Sequence, residues 1–145
     1  MSVDHDTFAV ERTYGRPPAR VFAAWATLEA KGRWWGGDAE HHELDFRVGG
    51  REVQRGVDLH DQSYVFRAVY QDIVPDRRIV YSYDMVVDGA RISVSLATVE
   101  LHPQGDGTRL VYTEQAAFLD GGDSAAQRSQ GMGSLLDALG AELGS

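Results

Sequence analysis

Hydrophobic positions along this chain change period twice. An approximate alternation of Phe8, Val10 and Arg12 within residues 8–14 predicts a first strand, which Gly15 ends. Pro17 and Pro18 suit the start of a helix, where a missing N–H breaks no hydrogen bond, and Val21, Phe22 and Trp25 supply an apolar stripe over about two turns. Thr27 is placed to cap a second short helix that runs toward Trp34 and stops at Gly36-Gly37.

From Leu44 the period falls to two. Leu44, Phe46 and Val48 alternate with Asp45 and Arg47, and Gly49-Gly50 reads as a two-residue hairpin turn into a strand over 51–57. Beyond a polar loop at Asp58 to Gln62, Tyr64, Phe66, Ala68 and Tyr70 share one face of a long strand, with Val65, Arg67 and Val69 on the other. Pro75-Asp76 turns the chain, Ile79, Tyr81, Tyr83, Met85 and Val87 line one face of the next strand, and Asp88-Gly89 is a strong hairpin signal. In residues 91–101 the apolar phase slips. Ile92, Val94 and Leu96 carry one parity, Val99 and Leu101 the other, which predicts a bulge near Ala97 or a strand covered on both faces in its second half. Gly105-Asp106-Gly107 turns into a last strand ending near Phe118.

Helical spacing then returns. Ser124-Ala125-Ala126-Gln127 has the spacing of a capping box, and Met132, Leu135, Leu136, Leu139 and Leu143 fall on one stripe of a helix running to about Leu143. Gly131 and Gly133 sit inside it at roughly 1 kcal/mol each relative to Ala, so either backbone or ligand comes close there or the first turn is weak. The expected architecture is α+β. A curved antiparallel sheet of six to seven strands wraps round the C-terminal helix, two short helices follow the first strand, and a cavity lies between helix and sheet. Residues 1–145 are read as one domain with a core over about 8–143.

Composition narrows the function. The formal charge of −8, with 14 Lys and Arg spread along the chain, argues against a nucleic-acid partner. No apolar run approaches the roughly 18 residues of a membrane span, and Met1 to Thr7 is polar and acidic, so the expectation is a cytoplasmic protein without membrane insertion, monomeric or homodimeric. Zero cysteines remove disulfides, thiolate catalysis and sulfur-ligated zinc.

Catalytic candidates are few. Adjacent His41 and His42 diverge on either a strand or a helix and read as a satisfied surface pair, and Asp58-Leu59-His60-Asp61 reads as a solvated loop, so no metal and no cofactor are expected. No Gly-x-Ser-x-Gly elbow and no phosphate-cradling loop are present. Glu114 is the one weak catalytic candidate: it shares parity with Tyr112 and Leu110, so it either brings a carboxylate into apolar surroundings, able to move a proton, or turns outward. Trp25, Trp34, Trp35, Phe46, Phe66, Tyr81 and Tyr83 read either as ordinary core or, being more large rings than a small core needs, as the lining of a pocket. Its expected lining is Trp35, Phe46, Phe66, Tyr81, Tyr83, Met85, Tyr112, Glu114, Met132 and Leu136.

The runs Pro-Pro-Ala-Arg-Val-Phe-Ala-Ala-Trp (17–25), Arg-Trp-Trp-Gly (33–36), Asp-Phe-Arg-Val-Gly-Gly (45–50), Val74 to Tyr83 and Gly-Thr-Arg-Leu (107–110) resemble the SRPBCC, or START-related, superfamily. Within it they look like the branch named for the C-terminal domain of the activator of heat-shock-protein-90 ATPase. The resemblance implies a helix-grip fold with an internal cavity that in various members takes lipids, polyketides or other apolar compounds. Where many relatives carry Gly-Trp before the last helix's Leu-x-x-Leu, this chain has Gly131-Met132, so pocket size does not transfer from them. The expected function is binding of a small, largely apolar molecule. Two alternatives stay open: a cyclase- or dehydratase-type enzyme using Glu114 and a Tyr on a polyketide-like substrate, and an interaction protein with a chaperone partner.

Overall fold

In the computed structural model, which describes residues 1–37, 39–58 and 60–144, the chain runs β1 (Val3–Tyr14), α1 (Pro18–Ala26), α2 (Leu28–Gly32), β2 (His42–Leu44), β3 (Arg51–Val57), β4 (Ser63–Val74), β5 (Arg78–Val87), β6 (Ala90–Gln104), β7 (Gly107–Leu119) and α3 (Ala125–Leu143). All seven strands pair antiparallel in one sheet, ordered β1-β7-β6-β5-β4-β3-β2, and β7 returns to lie beside β1. This is the expected α+β helix-grip architecture.

Local chemistry sets the element ends. Ser124 Oγ accepts the Gln127 N–H and opens α3, and Gly144 ends it in the left-handed region. Thr27 caps α2 by accepting the Ala30 N–H. Asp88 and Gly89 both have positive φ, 48° and 81°, the conformation of a type I′ hairpin. Met132, Leu136, Leu139 and Leu143 bury one stripe of α3 in a core shared with Val10, Tyr14, Tyr81, Val99 and Leu110. Burying those four side chains contributes about 6–12 kcal/mol as an upper figure, comparable with the net stability of a domain. The Tyr14 hydroxyl, donating to the Leu136 carbonyl at 2.7 Å, ties α3 to the edge strand.

Four sequence expectations need correction. The first strand begins at Val3, because its register with β7 runs on from Phe8↔Glu114 to Val3↔Leu119. Leu44, Phe46 and Val48 do not form one strand: β2 is His42–Leu44, and residues 45–50 are a loop rather than a two-residue turn. That loop closes on itself, with Gly50 so near the Asp45 carbonyl oxygen that a Cβ would stand 2.0 Å from it. It also swings Phe46 onto Phe22 and Tyr70, at ring-centroid distances of 5.6 and 5.0 Å. The bulge in β6 lies at Ile92, not near Ala97: Ser93 pairs Met85 while Arg91 pairs Val86. Ser93, Ser95, Ala97, Val99 and Leu101 then face inward in one unbroken alternation, and Val94 and Leu96 face out, 45% and 38% exposed. Two inward serines are what made the apolar phase look broken. Finally, His42 is buried on β2, while His41 is exposed.

Candidate functional site

Sheet and α3 do not touch everywhere. Between the first turns of α3, strands β3 to β7 and the segment after α2 lies a cavity of about 690 Å3. Its buried floor is Trp35, Gln54, Phe66, Tyr81, Tyr83, Tyr112, Arg128 and Met132. Exposed and half-buried lining residues mark its mouth, among them the polar Asp58, His60, Gln62, Tyr64 and Gln127, the apolar Val57, Val87 and Ile92, and Gly131. Among the rings of the floor, Trp35 packs edge-on against Phe66 at 5.4 Å, and Phe66 lies tilted beside Tyr83 at 4.9 Å. A space of this size suits a drug-sized molecule.

Behind the rings on the α3 side is a closed polar network. Glu114, on β7, is 0% exposed. Its Oε1 accepts the Tyr112 hydroxyl at 2.6 Å, and its Oε2 accepts the hydroxyls of Tyr83 and Ser95 at 2.7 Å each and Arg128 Nη1 at 3.1 Å. Arg128, one turn before Met132 on α3, gives its remaining N–H groups to the Tyr83 oxygen at 2.7 Å, Ser93 Oγ at 2.8 Å and Asp123 Oδ2 at 2.9 Å. Burial alone would lower the guanidinium's pKa, but Tyr83, Glu114 and Asp123 hold it above the ordinary value. Burial, reinforced by the Glu114 charge, pushes the Tyr83 and Tyr112 phenols up, so both stay protonated donors at neutral pH. The Tyr81 hydroxyl lies near that of Tyr112 but closes no hydrogen bond.

A second cluster lies on the far side of Trp35. Lys31 Nζ bonds Glu52 Oε1 at 2.6 Å, His42 Nε2 meets Glu52 Oε2 at 2.7 Å, and the Tyr70 hydroxyl donates to Glu52 Oε1 at 2.7 Å. The ammonium sits 4.0 Å from the Trp35 ring centroid. Burial pulls the Lys31 pKa down; burial would raise that of Glu52, but Lys31 and the bonds from His42 and Tyr70 bring it to about 2. None of these four residues lines the cavity.

Of the residues expected to line a pocket, Trp35, Phe66, Tyr81, Tyr83, Met85, Tyr112 and Met132 come together round this cavity. Three do not. Phe46 packs on Phe22 and Tyr70, Leu136 is wholly within the core, and Glu114 stands behind the tyrosines. Glu114 does face inward, but its surroundings are polar donors rather than apolar groups, and both oxygens are occupied. The Asp58 loop is a turn in which Asp58 Oδ1 accepts the backbone N–H groups of His60 and Gln62 at 2.9 Å; Leu59 lies outside the described residues. Among the described residues no group of three or more His, Asp or Glu could hold a metal ion, and no helix is long and apolar enough to cross a membrane.

Residues 16–144 match the family described as activator of Hsp90 ATPase homolog 1-like protein. The chain belongs to this family. Among solved structures it is similar to the Mll3558 protein from Rhizobium loti, with 52% identity over 98% of this chain and 99% of that one and a TM-score of 0.91. It is also similar to an uncharacterised protein from Rhizobium leguminosarum, 41% identical over 99% and 97% of the two chains with a TM-score of 0.92. CalU16 from Micromonospora echinospora, 19% identical over 99% and 87% with a TM-score of 0.70, shares the fold. No curated protein matches the chain.

In this member of the family the partners of Glu114 in the charged half of the site, Arg128 and Asp123, were missed from sequence. Arg128 extends the Met132, Leu136 and Leu143 stripe by one turn, which is where a lining cation on α3 could have been sought. Ser93 and Ser95 share parity with Ala97 and Val99, a signal read instead as a bulge. Lys31, Glu52, Tyr70 and His42 carried no motif, because their meeting depends on the register of β2, β3 and β4.

Proposed function

We propose that the protein binds a small, largely apolar molecule in the cavity between α3 and the sheet. The observation that carries this reading is the ring-lined space of about 690 Å3, with a mostly aromatic floor and both polar and apolar side chains at the mouth. The polar network fits a binding wall better than a proton-transfer site, since Glu114 would have to break bonds to Tyr83, Tyr112, Ser95 or Arg128 before accepting a substrate proton.

A neutral fluorophore, 1-anilinonaphthalene, tests the reading by titration against the native protein and the Met132→Trp variant. The native protein is expected to bind in the micromolar range, and Met132→Trp to weaken binding about tenfold while the unfolding midpoint holds. Unchanged binding in the variant, together with a stability loss of roughly 1–3 kcal/mol from overpacking, would mean that no pocket exists at Met132.

A further inference from the structure

We infer that the cavity selects an uncharged amphipathic molecule, with its apolar body among the rings and its polar end at the mouth, and that it rejects anions although an arginine forms part of its wall. The inference rests on the cavity reading above and adds the charge class of the ligand. An arginine in an apolar pocket ordinarily suggests a carboxylate or phosphate partner. Here the guanidinium already makes four hydrogen bonds, to Asp123, Tyr83, Glu114 and Ser93, and its Nη2 also stands 2.9 Å from the same Asp123 oxygen. An anionic ligand would have to displace one of these partners, two of which are carboxylates.

Wall charge points the same way. Arg128 is outnumbered by Glu114 and Asp123, and Asp58 adds a further carboxylate at the mouth. Lys31, the other buried cation nearby, is neutralised by Glu52 behind Trp35. The phenol protons of Tyr83 and Tyr112 at the floor are likewise committed, since both donate to Glu114. One phenol there has no partner among the described residues, that of Tyr81. Its oxygen is itself buried, so the floor leaves nothing that would offset the desolvation of an ionised group. Spare polar capacity is found instead at the mouth, in His60, Gln62, Tyr64 and Gln127.

The test compares 1-anilinonaphthalene with its 8-sulfonate, two fluorophores that differ in one negative charge. Because any apolar pocket favours the neutral compound, the deciding readouts are the sign of the salt effect and the response to freeing Arg128. Raising NaCl from low salt to about 0.3 M is expected to strengthen sulfonate binding relative to the neutral probe, since repulsion is being screened. Asp123→Asn, at a partly exposed position, and Glu114→Gln, at the buried one, are each expected to shift the affinity ratio toward the sulfonate by about tenfold. Sulfonate binding that weakens with salt in the native protein, or a ratio that neither folded variant moves, would overturn the inference while leaving the cavity intact. Absence of binding by either fluorophore to the native protein would overturn the cavity reading, and this inference with it.

Discussion

Two buried ionic clusters stand on opposite sides of the same aromatic layer, and they differ in what their charges reach. Lys31, Glu52, His42 and Tyr70 are sealed behind Trp35 and join α2 to β2, β3 and β4. Arg128, Glu114, Asp123 and their hydroxyl partners join α3 to β5, β6 and β7, and Arg128, Tyr83, Tyr112 and Asp123 also face the cavity. The first cluster pairs one cation with one carboxylate, whereas the second sets two carboxylates against one cation. Buried charge in the first therefore serves the fold alone, while in the second it also sets the field inside the cavity. The difference is testable because stability and binding are separate measurements.

The largest effect is expected from Lys31→Met. Removing one partner of a wholly buried ion pair leaves Glu52 with only His42 and Tyr70, and such losses run to about 3–5 kcal/mol. Denaturant unfolding should show that loss, while the folded fraction binds 1-anilinonaphthalene as the native protein does. A parallel loss of affinity would break the separation between the clusters.

Acid should find the first cluster next. The Glu52 carboxyl titrates near 2 in the folded protein against an ordinary value of 4.5. A carboxylate with a depressed folded pKa contributes stability above the unfolded value, and that stability is lost as pH falls through the folded value. Stability should thus drop by on the order of 3 kcal/mol between about pH 4.5 and pH 2 on this account alone. Lys31 runs the other way: its lowered pKa makes the ionised form costly in the fold, so it adds stability as pH rises toward 10.5. Unfolding midpoints of the native protein and Glu52→Gln, measured across the acid range, check the first part, with a shallower acid limb expected in the variant.

The comparison also explains what could be read from the sequence. Strand alternation and the α3 stripe depend on neighbours along the chain, so the sheet, the closing helix and most of the ring-lined floor were legible. Both ionic clusters depend on which strands pair and in which register. Phe46 was misplaced for a related reason: the loop at 45–50 follows backbone bonds between Gly49, Gly50 and the distant Tyr70, which periodicity does not carry. Ser93 and Ser95 show the same limit inside one strand, because an inward polar residue makes sense only once Arg128 and Glu114 are in place.

Matched tyrosine variants give a smaller and sharper contrast. Tyr70→Phe removes one donor from Glu52, and Tyr112→Phe removes one from Glu114. Each leaves a buried carboxylate oxygen short of a hydrogen bond and is expected to lower stability by about 1–3 kcal/mol. Only Tyr112 lines the cavity, so 1-anilinonaphthalene affinity should shift severalfold in Tyr112→Phe and stay at the native value in Tyr70→Phe. Equal affinity changes in both variants would show that the aromatic layer transmits what it was taken to insulate.

The smallest stability effect, and the most direct test of the mouth, comes from the two glycines of α3. A Cβ on Gly133 would stand 3.0 Å from the Arg12 guanidinium, which also donates to the Gly133 carbonyl, so that glycine answers to packing. A Cβ on Gly131 meets nothing within 4 Å, and Gly131 lies on the cavity lining. Helix propensity alone then favours Gly131→Ala by up to about 1 kcal/mol, with a smaller gain or a loss at Gly133→Ala where Arg12 must shift. Protein packing gives no reason for a glycine at 131, whereas a ligand passing over the α3 backbone does. Gly131→Leu is therefore expected to keep or slightly raise the unfolding midpoint, since Leu is also a good helix former, and to weaken 1-anilinonaphthalene binding about tenfold by filling space at the mouth. Native affinity in a stably folded Gly131→Leu would mean that the ligand does not approach along α3, and would move the path to the side lined by Val57, His60 and Tyr64.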